Sequence, residues 1–482
     1  MTPYYMINFT ISGNYTDLYQ LNMSQVNFLE GKHTQHACFD YFFRSVPNNG
    51  GYVLFAGLAD LLNVLEDLHF TQSDLKYLRS LGFERTFVDH LELFQFRGTI
   101  YSVKEGEVVF PNTPIVRVEG TLLETQLVES MLLNLLNFQS LIATAASRMR
   151  YAAGDASLSE FGLRRAQGPG AVLASRAAIV GGFDSTSNVF AGEKYQIDVS
   201  GTMAHAFIES YDSELEAFRA FARFHPEECV FLVDTYDTVN SGIPNAITVA
   251  LEMKQEGKKA AGIRLDSGDL AWLAKTARSM LDAAGLEHMK IVASNQIDEY
   301  VIRSLKQQGA PIDVFGVGTR LVTGYPDAAL DGVYKMAMLD EEPKIKLSEN
   351  IVKTTLPGMK EVYRMLNENG NFAGADAIAL KSEEEPQWMI HPHEPGKSMS
   401  LSAFGKESLL TRVMEKGRIC GNLPSLRKIA EYATNRLSQL PVEYRRFEFP
   451  HVYKVGISRK LSELRNGLIK NLRSQLTEVP AR

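Results

Sequence analysis

Four stretches in the middle of the chain decide its architecture: Val230-Phe-Leu-Val-Asp-Thr-Tyr-Asp237, Ala261-Gly-Ile-Arg-Leu-Asp-Ser-Gly-Asp269, Ile291-Val-Ala-Ser-Asn-Gln296 and Val314-Phe-Gly-Val-Gly-Thr319. Each is a short apolar run that exits into polar, turn-forming residues. The runs start 23 to 31 residues apart, and helix-compatible stretches lie between them at Asn245–Glu256, Leu270–Ala284 and Glu299–Gln308. Strands alternating with helices at this spacing predict a parallel sheet, open or closed into a barrel. Two earlier runs, Ala178–Val180 and Ile197–Val199, extend the same series. In a βα barrel the polar exits fall at one end, where active sites are built. Asp, Ser and Gly at a strand end also cap the helix that follows. Four exits of similar chemistry favour function over capping.

The flanking regions read differently. Thr71–Leu81 predicts a helix, capped by Thr71 with Asp74 three residues on and Gly82 past its end. Thr99–Val103, Val108–Phe110 and Ile115–Val118, punctuated by Pro111, Asn112 and Pro114, predict a small antiparallel sheet. Leu122–Met149 is apolar but interrupted by Glu124, Glu129, Asn134 and Asn137, the pattern of a long buried amphipathic helix. The last 140 residues hold strand-like pieces, then helices near Leu423–Leu440 and Ser458–Leu472.

The chain has 482 residues, 45% hydrophobic and 22% charged, enough for two or three domains with a large core. A formal net charge of −7 offers no basic field to nucleic acid, so anionic ligands must be held by local groups. Cys38, Cys229 and Cys420 are widely separated and odd in number, which argues against a disulfide framework or a cysteine zinc site and for a reducing cytosol. Met1–Tyr15 lacks the basic region and continuous apolar core of a secretory leader. No stretch reaches the roughly 20 apolar residues that span a bilayer. The expectation is a cytoplasmic protein with no membrane partner.

Four motifs carry chemistry. Gly316-Val-Gly-Thr319 lets backbone N–H groups approach a phosphate. It is neither a dinucleotide fingerprint, since Leu321 stands where the third glycine is needed, nor a Walker loop. In Ile263–Asp269, Arg264 and Asp266 lie two residues apart and share one strand face. The Arg fork suits phosphate or carboxylate, and the Asp suits hydroxyls or a metal's water shell. A plain Arg264–Asp266 ion pair fits the spacing equally well. Gly201-Thr-Met-Ala-His205 places a histidine after a strand-like run, with Thr202 three residues earlier and no second metal ligand in helical reach. Phe161-Gly-Leu-Arg-Arg165 offers an aromatic face and two guanidinium groups to a flat anionic ring, or an ordinary basic pair beside a core Phe.

Together these residues resemble a known family. Thr16-Asp-Leu-Tyr-Gln20, Phe161-Gly-Leu-Arg-Arg-Ala-Gln-Gly168, Gly182-Phe-Asp-Ser185, Gly201-Thr-Met-Ala-His205, Arg264–Asp269, Gly316–Thr319, Lys346-Leu-Ser-Glu-Asn350, Arg445-Arg-Phe447 and Pro450-His-Val-Tyr453 occur in the order seen in nicotinate phosphoribosyltransferases. The resemblance covers nearly the whole chain. It implies an irregular α/β barrel of the type II phosphoribosyltransferase kind with an N-terminal α/β domain that the C-terminal segment helps complete. The expected bounds are 1–140, 141–340 and 341–482. It also implies a homodimer with active sites at the subunit interface. The implied reaction takes nicotinate and phosphoribosyl pyrophosphate to nicotinate mononucleotide and pyrophosphate, a step of NAD salvage. Mg²⁺ assists, and ATP is hydrolysed through a phosphohistidine.

Position by position, His205 matches the phosphorylated histidine. Tyr19 matches the aromatic that stacks on nicotinate from the neighbouring subunit, and Phe161 its partner on the other face. Arg164, Thr202 and Arg264 match residues lining the nicotinate and ribose site. Asp234 and Asp266 match acidic positions near ribose, pyrophosphate and Mg²⁺, and Gly316, Gly318 and Thr319 match the phosphate loop. Ser185 stands where the nicotinamide-using relatives place an Asp, which would repel a carboxylate, so nicotinate is favoured over nicotinamide. A phosphosugar lyase or aldolase is the other enzyme reading. It needs a lysine at a strand's C-terminal end, whereas Lys258 and Lys259 precede theirs.

Overall fold

Contacts divide the chain into two units: Met1–Leu141 with Ala329–Arg482, and Ile142–Ala328. The computed structural model describes residues 11–349, 353–394 and 396–477. Most of the Met1–Tyr15 stretch, and Asn350 of the Lys346–Asn350 motif, lie outside the described residues.

The Ile142–Ala328 unit is the barrel. Its strands are β1 (Ser157–Glu160), β2 (Ser185–Thr186), β3 (Val230–Leu232), β4 (Gly262–Leu265), β5 (Lys290–Ser294) and β6 (Val314–Val317). They lie in the order β2-β1-β6-β5-β4-β3, every ladder parallel. The first strand pairs with the last, from Ser157↔Val314 to Glu160↔Val317, so the sheet curls back on itself. Past β2 a single parallel bridge, Thr186↔Val199, extends the edge. Among the described residues no ladder joins Val199 to β3, and this seam makes the barrel irregular.

The helices between strands form where the apolar periodicity placed them: Ile243–Gln255, Leu270–Ala283 and Glu299–Gln307. Small residues on their buried faces, such as Ala246, Ala250, Ala271, Ala274 and Ala277, let them lie close to the sheet. At Gly242 a Cβ would sit 1.8 Å from the Val233 carbonyl oxygen, so only glycine lets the chain turn there.

Two expectations fail in this unit. Ala178–Val180 is not a strand but the end of a helix, Gly170–Val180, whose alanine-rich sequence is a strong helix former. Ile197–Val199 contributes only the isolated bridge. The strands that take their place, β1 and β2, are Ser-Leu-Ser-Glu and Ser-Thr. They carry no apolar run because one of their faces meets a polar interior.

The other unit has two sheets. In the seven-stranded antiparallel sheet His36–Phe43 lies between Gly332–Leu339 and Val116–Thr121, so segments that precede and follow the barrel in sequence share one sheet. Thr99–Ser102 joins it as expected, but Val108–Val109 pairs with Val53–Leu54 instead. The six-stranded sheet is built from the C-terminal segment, with Phe372–Leu380 parallel to Lys454–Ile457. The Thr71 helix forms over Gln72–Ser80 with both arms of its capping box made. The Leu122–Met149 helix is two helices, Leu122–Leu127 and Glu129–Ala153, the first capped by Thr121 and Glu124.

A buried ionic knot joins the two ends of this unit. Arg364 is fully buried and forks onto Asp376 at 3.0 and 2.9 Å, while also donating to Glu107 and, at 2.7 Å, to the Val108 carbonyl. Arg436 donates to Glu107 at 2.9 Å and Glu407 at 2.7 Å. Tyr453 donates to Asp376 at 2.9 Å and stacks on Phe110. Removing one partner strands the opposite charges without water. Arg364→Leu should therefore cost about 3–5 kcal/mol, read as a lowered midpoint in urea unfolding.

Candidate active site

Residues paired across a parallel ladder share a face. Ser185 pairs with Ser159, Ser159 with Gly316, and Gly316 with Ser294. Arg264 pairs with Leu232 and Val292, and Asp234, Asp266 and Ser294 each lie two residues beyond a member of that row. One inner face therefore presents Ser185, Ser159, Gly316, Ser294, Asp266, Asp234 and Arg264. The barrel mouth is polar by construction.

Arg264 is the hub. Its Nε donates to Ser294 Oγ at 2.9 Å, Nη1 to Thr202 Oγ1 at 3.1 Å, and Nη2 to Asp266 Oδ1 at 2.9 Å. Ser294 also donates to Asp266 Oδ1. Asp234 Oδ2 accepts from the Asp266 backbone N–H at 3.0 Å and from Ser267 Oγ at 2.6 Å. Its other oxygen, Oδ1, is buried without a partner among the described residues, an acceptor left for a ligand or cation. His205 starts the short helix His205–Glu209; its Nδ1 meets Thr235 Oγ1 at 3.1 Å, and its Nε2 lies 4.0 Å from Asp266 Oδ2. The Arg264–Asp266 ion pair forms, inside a larger cluster that remains open, with Asp266 31% exposed.

The carboxylates at the strand exits divide their labour. Asp237, Asp269 and Asp298 each accept two backbone N–H bonds and cap the next helix. Asp234 and Asp266 turn into the cluster. At the β3 and β4 exits the capping explanation is correct for the second Asp and fails for the first. The Asp237 carboxyl lies below the usual range because the Asn240 backbone N–H, its side-chain amide and the Val239 N–H favour the anion.

Phe161 joins the cluster from β1. Its ring lies beneath Arg264, 5.6 Å from guanidinium carbon to ring centroid. A Cβ on Gly316 would lie 2.5 Å from that ring. Gly316 is thus a strand residue that makes room for Phe161. Gly318 and Thr319 do lie at the exit of β6, with Thr319 opening a helix of only one turn, Thr319–Val322. Ser185 sits in a hydroxyl triangle, 3.0 Å from Ser159 and 2.8 Å from Ser200, whose third side is 2.7 Å. Its neighbour Asp184 is tied to Arg150 at 2.6 Å and to the Leu158 N–H at 2.8 Å. Arg164 is exposed on the turn after Phe161, and no contact of the described residues joins it to Arg264. Tyr19 lies in the other unit, 49% exposed on the helix Leu18–Leu29.

Sequence reasoning missed Thr235, Ser159, Ser200 and the role of Ser294. Thr235 and Ser294 stand inside the exits already singled out. Ser159 has no signal until β1 is recognised as a strand.

A parallel barrel whose mouth gathers a guanidinium, two carboxylates and an imidazole beside an aromatic ring defines an α/β-barrel enzyme of the type II phosphoribosyltransferase class. Family models described as the nicotinate phosphoribosyltransferase N-terminal domain, family and C-terminal domain match residues 15–137, 156–404 and 359–465. The chain belongs to the nicotinate phosphoribosyltransferase family. It is similar to the nicotinate phosphoribosyltransferase of Bacillus subtilis, 44% identical over 96% of each chain, and to that of Homo sapiens, 35% identical over 94% of this chain and 96% of the human one. The crystal structure of human nicotinic acid phosphoribosyltransferase superposes with a TM-score of 0.84 at 33% identity, covering 94% of this chain and 99% of that one. A nicotinate-nucleotide pyrophosphorylase structure from Pyrococcus furiosus shares the fold, with a TM-score of 0.70 at 23% identity over 89% of this chain and 95% of that one.

A lysine carries its donors on a single nitrogen and lacks the planar fork that spreads Arg264 over three partners. Arg264→Lys should lower kcat/KM about 100-fold. The melting temperature should stay close to that of the parent enzyme; unchanged steady-state kinetics would remove Arg264 from the site.

Proposed function

We propose that this enzyme joins nicotinate to phosphoribosyl pyrophosphate, releasing nicotinate mononucleotide and pyrophosphate, with ATP hydrolysed through a phosphorylated His205. The observation that carries this reading is the Arg264 hub, which gathers Thr202, Ser294 and Asp266 and, through Asp266, Asp234 and His205. The nicotinate ring nitrogen supplies the electron pair for the new bond to ribose C1, and the C1–O pair leaves with pyrophosphate. Positive charge builds on the sugar and negative charge on the leaving group. Arg264, with Gly318 and Thr319 at the β6 exit, offers fixed donors to the latter. Asp234 and Asp266 suit the ribose hydroxyls. They would also hold Mg²⁺ alongside pyrophosphate oxygens, and the partnerless Asp234 Oδ1 fits that use. When bound, Mg²⁺ offsets charge on the leaving pyrophosphate.

Stacking on Phe161, with Tyr19 of a second copy on the opposite face, would hold the ring in line with C1. The Leu18–Leu29 helix exposes Leu18, Tyr19, Met23, Val26 and Leu29 along one stripe, which supports a homodimer contact there. In the ATP step a neutral His205 takes the γ-phosphoryl group, ADP leaves, and water later frees the imidazole. The phosphoryl group adds negative charge beside Asp266, which already shares Arg264. The ATP step thereby reaches the substrate residues through one ion pair. Cys38 and Cys229 are buried thiols, no helix among the described residues is long and apolar enough to cross a membrane, and both facts suit a cytoplasmic setting.

Ser185 favours nicotinate over nicotinamide because a hydroxyl can turn to donate to a carboxylate, whereas an Asp there would repel it. Pyrophosphate release should depend on nicotinate far more than on nicotinamide, rise with ATP, and be matched by ADP formation. His205→Ala should abolish ATP hydrolysis and the gain from ATP; if both persist, His205 is not the acceptor. Ser185→Asp should lower kcat/KM for nicotinate about tenfold or more, and unchanged nicotinate kinetics would count against the assigned specificity.

A further inference from the structure

Glu160 ends β1 with its side chain on the face opposite the barrel interior, and it is fully buried. Its partners are neutral. Oε2 accepts from Thr186 Oγ1 at 2.6 Å and from Ser175 Oγ at 2.8 Å. Oε1 accepts from the Gly162 backbone N–H. Asn188 braces the two hydroxyls, its backbone N–H on Thr186 Oγ1 at 3.0 Å and its amide on Ser175 Oγ at 3.2 Å. Burying a carboxylate with no cation costs free energy that a neutral side chain would avoid. The barrel itself does not require it, since β1 is already paired on both sides.

What the carboxylate fixes is the residue between its own backbone and Gly162. Phe161 is held by its N–H on the Val317 carbonyl at 2.7 Å, by the Gly316 gap beneath its ring, and by the Glu160 clamp on the next peptide. The clamp admits no slack on the outer side, where a Cβ on Gly162 would lie 2.2 Å from Val322 Cγ1 and 2.8 Å from Glu160 Oε1. We infer that Glu160 is a positioning residue for the aromatic platform, setting the height and tilt of the Phe161 ring on which nicotinate stacks. This rests on the proposed role of Phe161.

The experiment is steady-state kinetics on the full-length enzyme, with KM for nicotinate and for phosphoribosyl pyrophosphate measured separately. Glu160→Ala should raise the nicotinate KM about tenfold while moving the other KM by less than about twofold. Glu160→Gln keeps an acceptor for the Gly162 N–H, and the two hydroxyls can reverse to accept from its amide, so it should recover most of the nicotinate affinity. Gly162→Ala disturbs the same clamp without removing the buried group and should also raise the nicotinate KM selectively, which keeps the test open if Glu160→Ala does not fold. Equal shifts in both KM values, a Gln variant as impaired as Ala, or unchanged nicotinate KM in folded Glu160→Ala or Gly162→Ala overturns the inference. Phe161→Ala separates the two levels. An unchanged nicotinate KM there overturns the platform reading itself, whereas a raised KM with normal Glu160→Ala overturns only the positioning role.

Discussion

The pairing of β1 with β6 is the constraint on which the site depends. Four backbone pairs, Ser157↔Val314 through Glu160↔Val317, bring the first strand of the barrel against the last. Without that closure Phe161 and Gly316 would belong to opposite edges of an open sheet. With it, the ring packs over the glycine, and the row of inner-face residues runs from Ser185 to Asp234. Parallel pairing then sends every exit out of the same end. The open seam between Val199 and β3 falls where the chain carries Thr202 and His205, outside the ladder. Residues at the seam are not fixed by strand geometry, and hydrogen bonds to Arg264 and Thr235 fix them instead.

The chemistry of the mouth follows from how its carboxylates are spent. A helix that starts right after a strand leaves N–H groups needing acceptors, and Asp237, Asp269 and Asp298 supply them. In each, one carboxylate oxygen takes two backbone N–H groups. Asp234 and Asp266 come earlier in their exits, still on strand parity, so they face the interior. Position within the exit, three residues apart at Asp234/Asp237 and Asp266/Asp269, separates a structural carboxylate from one available to a substrate.

Much of this was legible in the sequence because apolar runs and polar exits are local signals. β3 to β6 and the helices between them follow from periodicity, and Arg264, Asp266, Asp234 and Thr202 do come together. β1 and β2 were not legible, since hydroxyl-rich strands facing a polar interior carry no apolar alternation. Their absence from the reading hid the Ser159–Ser185–Ser200 triangle and Glu160. The packing role of Gly316 was hidden for a related reason. A glycine after an apolar run gives no sign that a phenylalanine from a strand distant in sequence needs the space. The Ala178–Val180 run failed because three small or branched apolar residues do not distinguish a strand from the end of a helix.

Arg264 and Arg364 show how one side chain serves two ends. A guanidinium has five N–H groups in a fixed fork. In Arg364 four of the donor contacts go to Asp376, Glu107 and the Val108 carbonyl, no part of the side chain meets solvent, and three aromatic rings or hydroxyls close around it. The one N–H left over is sealed from solvent, so its charge serves only to lock Glu107 from the first half of the chain to Asp376 from the second. Arg264 spends one N–H on each of Ser294, Thr202 and Asp266, and 14% of its side chain stays open. Two N–H groups are left over, already aimed by the other three. An arginine becomes a binding residue when its unspent donors reach open space, as they do for Arg264 at the mouth of the barrel and do not for the sealed Arg364.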